Sequence, residues 1–266
     1  MFTYSLEHKE YLQRIKREKI IVTIFRIFII LLFLLLWQMA ADFGFINTFL
    51  FSSPKNVFNT CIKLFNDGSL FTHTWITLYE VLISFFISMI LGLIVSIVLW
   101  YSRLFSKIID PYLTVLNSLP KVALGPLIII WVGASINSII FMALLISTFV
   151  TIINIYNGFI ETNKSYITLL KSFGANKWNT FIKAVLPSNY GIIINTLKVN
   201  ISMCLIGVIM GELLVSKKGL GYLIMYGSQV FNINLVITSV VILGLISYFM
   251  YWVISRIGVF ITNKIS

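Results

Sequence analysis

The stretch that decides the fold is residues 111–156, PYLTVLNSLPKVALGPLIIIWVGASINSIIFMALLISTFVTIINIY. It reads either as one long apolar segment or as two, 111–131 and 136–156, separated only by residues 132–135. Each half carries about the 20 residues that take a helix across roughly 30 Å of hydrocarbon. Runs of the same kind lie at 20–41, 77–101, 190–215 and 235–261. Splitting the central stretch gives six spans, and merging it gives five. The basic residues choose between them. With six spans, 14 of the 20 Lys and Arg fall on one side, while Lys55, Lys63, Lys217 and Lys218 fall on the other and Lys121 and Lys198 lie within spans. Merging would move Lys164, Lys171, Lys177 and Lys183 across and blur that bias. Cytoplasmic loops concentrate Lys and Arg, so the sequence predicts six transmembrane helices with both termini in the cytoplasm.

Composition agrees. The 266 residues are 59% hydrophobic and 11% charged, with a mean hydropathy of +0.96, against about 25% charged in an ordinary soluble domain. That excludes a soluble globular chain and a disordered one. The net charge of +11 is then a topology signal rather than a sign of a nucleic-acid partner. The first run exceeds the roughly 7–15 apolar residues of a signal peptide, and Ala40-Ala41-Asp42 is a poor cleavage site; it reads as a retained anchor. Cys61, Cys204, His8 and His73 stand apart in the sequence, so no metal site, cofactor site or catalytic constellation is predicted. The fold class expected is all-α, polytopic and membrane-embedded.

Small residues indicate how the spans pack, because close approach of backbones drives helix association in lipid. Ser84, Ser88, Gly92 and Ser96 recur every fourth residue, as do Ala143, Ser147 and Thr151, and Gly207 with Gly211. These ridges predict a close-packed bundle. The third span is irregular: Pro111, Pro120, Pro126, Gly125 and Gly133 interrupt it, and Lys121 follows the middle proline. Broken backbone at membrane depth is tolerated where it is buried in protein or lines a cavity. Two readings of Lys121 stand side by side, a functional intramembrane cation and a side chain that reaches the cytoplasmic interface. Glu80 and Glu212, near the other ends of their spans, read as interface or structural residues rather than proton relays.

The connection from Glu161 to Pro187 is amphipathic in two blocks. Tyr166, Leu169, Leu170 and Phe173 follow i, i+3, i+4, i+7 spacing, and Trp178, Phe181, Ile182 and Val185 repeat it, so each block predicts a short helix with one apolar face. Gly174 is a stop between them, followed by Ala175 and Asn176. Such faces need a cover: the chain's own bundle, the lipid interface or a groove on another protein.

The run from Leu170 through Lys171, Ser172, Phe173, Gly174, Ala175, Asn176 and Lys177 to Trp178, followed by Val185-Leu186-Pro187, resembles the "EAA" loop of binding-protein-dependent ABC importer permeases. Gly211-Glu212 and the run Gly219-Leu220-Gly221-Tyr222-Leu223-Ile224 are similar to the family's downstream pattern. Leu119-Pro120-Lys121-Val122-Ala123-Leu124-Gly125-Pro126-Leu127, leading to Trp131-Val132-Gly133, is similar to the nitrate/sulfonate/taurine branch. The resemblance spans roughly residues 70–262, and three motifs in order make it specific. It departs at Thr168-Leu169-Leu170, where the family has Glu-Ala-Ala; an acidic partner for a salt bridge is missing.

The resemblance implies a type I ABC importer permease, not itself an enzyme, whose transmembrane domain at 70–262 carries a coupling loop at 157–189; ahead of it the residues themselves give a cytoplasmic tail at 1–19 and a first transmembrane helix at 20–41. It implies that Leu169, Leu170, Phe173, Gly174, Ala175, Trp178, Phe181, Leu186 and Pro187 dock on a dimer of cytoplasmic ATP-binding subunits. The chain itself has no GxxxxGK[ST] loop to cradle phosphates. Further implied partners are a second permease copy forming a homodimer, an extracytoplasmic solute-binding protein facing residues 42–75 and 216–234, and membrane lipid, with no nucleic acid. Pro120, Lys121 and Pro126 would border the pathway, where Lys121 would favour an anion. The alternative reading is an ion-coupled secondary transporter, which needs central ionisable residues and usually an internal repeat.

Overall fold

The computed structural model describes residues 6–265, all helices and connections with no strand among them. The chain divides into two compact units, residues 1–63 and 64–266. In the first, α1 runs Leu6–Asp42 and displays an unbroken set of exposed side chains from Ile20 to Leu36, as an apolar helix in lipid should. Its end is secured by polar contacts. Gln38 Nε2 donates to Asp42 Oδ1 at 2.8 Å, and Gln38 Oε1 accepts from the Lys55 amide at 3.1 Å. Lys55 lies in the first turn of α3 (Pro54–Asn66), which follows a turn of helix α2 (Thr48–Phe51).

The second unit is built on α4 (Ser69–Tyr101), α7 (Ile136–Glu161) and α11 (Tyr190–Val215), which pack on one another along their lengths, with α13 (Ile233–Ile265) against α11. The small-residue ridges are the seams. Ser84, Ser88, Gly92 and Ser96 of α4, Ala143, Ser147 and Thr151 of α7, and Gly207 and Gly211 of α11 are all buried. A side chain at Gly92 would collide with Thr151, at Gly207 with the backbone of Ala143, and at Gly211 with Ile139. Ser96 Oγ reaches across to the Ile152 carbonyl at 3.0 Å. Between the seams, Val81, Phe85, Ile139, Ala143, Ile201, Cys204, Val208, Met250 and Ile254 form one core.

One polar residue ties the three central helices together. Asn200 of α11 is buried, and its amide donates to Ser88 Oγ of α4 at 2.8 Å and to Thr151 Oγ1 of α7 at 2.6 Å. Interhelical hydrogen bonds in membranes contribute about 0.6 kcal/mol on average and up to about 1.7. Replacing Asn200 by Leu, which leaves both hydroxyls without this partner, is expected to lower stability by roughly 1–2 kcal/mol. Thermal unfolding in detergent checks this, and an unchanged midpoint would contradict the account.

The central stretch differs from a straight third span. Helix α5 (Arg103–Ser118) starts earlier than the apolar run suggests, and it meets a 3-10 turn (Lys121–Leu124) and α6 (Gly125–Val132) at 82°. The described residues therefore hold five long apolar helices, or six spans when the bent pair counts as one. The cause is local. Leu119 is extended (φ −62°, ψ 141°), as steric contact with a following proline demands, and Pro120 has no amide to continue the helix. Pro126 sits in the first turn of α6, where a missing amide costs nothing, and Gly133 ends it at φ 87°.

Candidate functional site

The connection between α7 and α11 is formed by α8 (Lys164–Ser172), α9 (Lys177–Thr180), a π-helical turn (Phe181–Val185) and α10 (Leu186–Ser188). Asn163 begins α8 by accepting from the Ser165 amide at 2.9 Å. Gly174 ends it with φ 76°. The Gly174 amide then bonds to the Lys171 carbonyl at 2.9 Å and the Ala175 amide to the Leu170 carbonyl at 3.0 Å, the paired closure that a left-handed glycine permits. Asn176 starts α9 by accepting from the Asn179 amide at 2.7 Å. These short polar caps make the corner between the two blocks a defined turn.

The two blocks have different fates. In the second, Phe181 and Val185 are buried with Ile155 and Phe159. The Phe181 ring lies 5.1 Å from that of Trp100 and 5.2 Å from that of Phe159. Lys177 adds a tether: its ammonium donates to the Tyr101 carbonyl at 2.5 Å and sits 5.0 Å from the Tyr101 ring centre, a cation at the C-terminal end of α4 where the helix dipole favours one. In the first block Tyr166, Leu169 and Phe173 stay exposed, Phe173 at 80%. Trp178, stacked on Phe181, and Ile182 are half exposed beside them. A groove of about 440 Å³ between the blocks is lined by Tyr166, Leu169, Leu170, Lys183, Ala184 and Pro187, with Ser188.

Of the nine loop residues singled out from the sequence, Phe181 is an anchor into the chain's own core. Leu169, Phe173 and Trp178 present an outward apolar surface, Leu170, Leu186 and Ala175 are partly covered, Pro187 is exposed at the groove and Gly174 makes the corner. Asn189 closes the base of the loop. It is buried, and its amide donates to Thr162 Oγ1 at 2.8 Å and to the Val185 carbonyl at 2.7 Å, clasping the end of α7 to the start of α11. Sequence reading passed over Asn189; its only signal was an amide beside a long apolar run.

The bend carries the remaining candidates. Lys121 is partly covered, with its ammonium 3.0 Å from Asn117 Oδ1 and 5.5 Å from the Phe149 ring centre. Pro120 and Pro126 are exposed on either side of the 3-10 turn. At the opposite end of α11 from the loop, Glu212 is buried and accepts from Thr77 Oγ1 and from the Gly221 amide, both at 2.6 Å.

Residues 84–266 match the model of the "binding-protein-dependent transport system inner membrane component" family. The chain belongs to this family. Relatives carry consistent names. A probable ABC transporter permease protein of Haemophilus influenzae is 30% identical over 228 residues, 84% of this chain and 92% of that one. A putative aliphatic sulfonates transport permease protein, SsuC, of Bacillus subtilis is 27% identical over 214 residues, 79% of this chain and 76% of the relative. A formylaminopyrimidine transport permease protein, ThiX, of Halalkalibacterium halodurans is 28% identical over 193 residues, 72% and 76% of the two chains. In architecture the permease is similar to a chain in an inward-facing structure of the MetNI methionine ABC transporter, with a TM-score of 0.64 at 18% identity over 73% of this chain and 94% of the other. It is therefore a multi-pass membrane permease of the ABC importer type, and the α8–α10 connection is the segment that resembles the family's loop.

Proposed function

We propose that this permease is the transmembrane subunit of an ATP-driven importer, moving a small solute across the cytoplasmic membrane by alternating access coupled to a separate ATPase dimer. One observation carries the reading: the α7–α11 connection is braced from behind by Phe181, Val185 and Asn189, yet it leaves Leu169, Phe173 and Trp178 facing outward. A rigid element with an uncovered apolar face suits a protein groove that pushes and pulls on it. The proposal includes a tail at 1–19, a first membrane helix at 20–41 and a transport domain at 70–262, with the coupling loop at 157–189 and both termini in the cytoplasm. A second copy of the permease and an extracytoplasmic solute-binding protein complete the assembly. Proteoliposomes containing the permease, its ATPase and its solute-binding protein are expected to accumulate solute only with ATP. Uptake that ignores ATP and follows an ion gradient would instead make the chain a secondary transporter.

The broken α5–α6 pair would border the pathway, with Lys121 as its cation. Two relatives are named for aliphatic sulfonates, and an anionic solute would be drawn to Lys121. Lys121→Gln is expected to reduce uptake of an anionic solute by about tenfold, equivalent to roughly 1.4 kcal/mol of attraction, and to spare neutral ones. Unchanged uptake of both classes would leave Lys121 a side chain resting between Asn117 and Phe149.

A further inference from the structure

Helix α12 (Leu220–Gln229) follows α11 after a short turn, and its first amides are received by side chains from other helices. The Gly219 amide donates to His73 Nδ1 at 2.9 Å, the Leu220 amide to Thr77 Oγ1 at 2.8 Å, and the Gly221 amide to Glu212 Oε2 at 2.6 Å. Thr77 relays the contact by donating to Glu212 Oε1 at 2.6 Å. His73 and Thr77 are one turn apart on α4, so two helices hold one N-terminus through three consecutive amides. The start of an α-helix leaves such amides without partners of its own, which makes these acceptors the fastening of α12. Gly219 is held at φ 111°, and a side chain there would collide with the Glu212 carboxylate. Behind Glu212 lies Glu80, buried one turn along α4 from Thr77, its carboxyl meeting that of Glu212.

The three acceptors differ in one respect. Thr77 and Glu212 are buried, whereas His73 borders a cavity of about 560 Å³ shared with Asp67, Thr72, Lys217, Lys218 and Tyr222. At 1.5 Å per residue, the 33-residue α4 is about 50 Å long, well beyond the roughly 30 Å hydrocarbon core. His73, five residues into it, therefore lies at its end. The imidazole stacks on Tyr222, with ring centres 5.8 Å apart and planes 18° apart. An Nδ1 that accepts an amide proton carries no proton itself. Imidazolium has two N–H donors and no acceptor, so protonation turns this contact into N–H facing N–H.

We propose that His73 is a positioning residue that fastens the N-terminus of α12 only while neutral, so that acid on its side of the membrane releases the 216–224 turn. The charged neighbours set the balance. Lys217 and Lys218 line the same cavity and oppose a positive ring, and Asp67 favours it. Asp67 stays ionised through the relevant range, because the Ser69 hydroxyl and amide donate to it at 2.6 and 3.0 Å and hold it below the usual carboxylate value. Glu212 faces the turn from the protein side, with Glu80 behind it. The consequence for transport rests on the importer reading, which places residues 216–234 against the solute-binding protein; the release itself does not.

The test is hydrogen exchange of the 216–224 amides in the full permease–ATPase complex in lipid nanodiscs, corrected for the intrinsic pH dependence of exchange. A ring released into water, with the ordinary imidazole value of about 6.5, is about nine-tenths protonated at about pH 5.5, and only a neutral ring can accept from Gly219, so moving from about pH 7.5 to about pH 5.5 favours the released turn about tenfold. Protection of the turn is expected to fall about tenfold in the wild type and to stay level in His73→Asn, whose amide oxygen still accepts from Gly219. Glu80→Gln is expected to respond like the wild type. Equal protection at both pH values in the wild type overturns the proposal. So does an equal loss in His73→Asn, or a pH response abolished by Glu80→Gln. If His73→Asn does not fold, the wild type and Glu80→Gln decide on the same criteria. A permease that binds no ATPase fails the importer reading but still reports on the latch, measured without the partner.

Discussion

Gly207→Val is expected to leave almost no folded permease. The α7 and α11 backbones meet at this point, and the first carbon of any side chain would lie against the backbone of Ala143. A flexible side chain can swing away from an intruder, but a helix backbone cannot. The helices must separate, and the seam from Gly211 to Ile139 opens with them. Overpacking typically costs about 1–3 kcal/mol; here, with backbone on the opposing side, about 3 kcal/mol is the expected lower bound, a large part of the roughly 5–15 kcal/mol that holds a native protein together. Gly191 is the control. It lies in α11 with no heavy atom near where a Cβ would stand, so Gly191→Ala is expected to be neutral or to stabilise by up to about 1 kcal/mol. Fluorescence-detected size exclusion and thermal unfolding in detergent compare them. A Gly207→Val chain that unfolds at the wild-type temperature would mean that α7 and α11 are not in backbone contact.

The second large effect is on association rather than folding. Leu169→Asp combined with Phe173→Asp is expected to abolish co-purification with the ATPase while the thermal midpoint of the permease stays unchanged. Both side chains are exposed, at 55% and 80%, so a carboxylate there meets water in the free chain. In a docked groove the same carboxylate would be buried without a partner. Interface hot spots are worth about 2 kcal/mol or more each, so two of them predict a loss of about a thousandfold in affinity, since roughly 1.4 kcal/mol is tenfold. Phe181→Ala is the contrast. Its ring is buried between Phe159 and Trp100, and its loss should cost about 3–5 kcal/mol of stability, with association failing only because the loop is no longer braced. Wild-type affinity in the double variant would remove the coupling role from α8.

Those contrasts mark how far the sequence could be read. Helical periodicity placed both loop blocks and the stop at Gly174, because an apolar stripe and a left-handed corner are properties of a few neighbouring residues. It treated Trp178 and Phe181 alike. They lie three residues apart on one face, yet one is half exposed and the other buried, because burial depends on where Trp100 and Phe159 arrive from distant helices. The π-helical turn at Phe181–Val185 re-aims that face and has no signature in spacing. The bend at Leu119 and Pro120 was foreshadowed by three prolines, but its 82° angle was not: a proline marks where a helix can break, while neighbouring helices set the direction it takes.

The sequence by itself determined the medium, the approximate spans and the seams. Hydrophobicity, basic-residue bias and small-residue ridges act through lipid and through direct backbone approach, and each is local enough to be read along the chain. Only the tertiary structure decided which polar groups meet. Asn200 joins Ser88 and Thr151, Asn189 joins Thr162, and His73, Thr77 and Glu212 converge on three amides of one turn. These partners lie up to 146 residues apart. A buried polar side chain announces that it needs a partner, and the packing of the helices selects which one it finds.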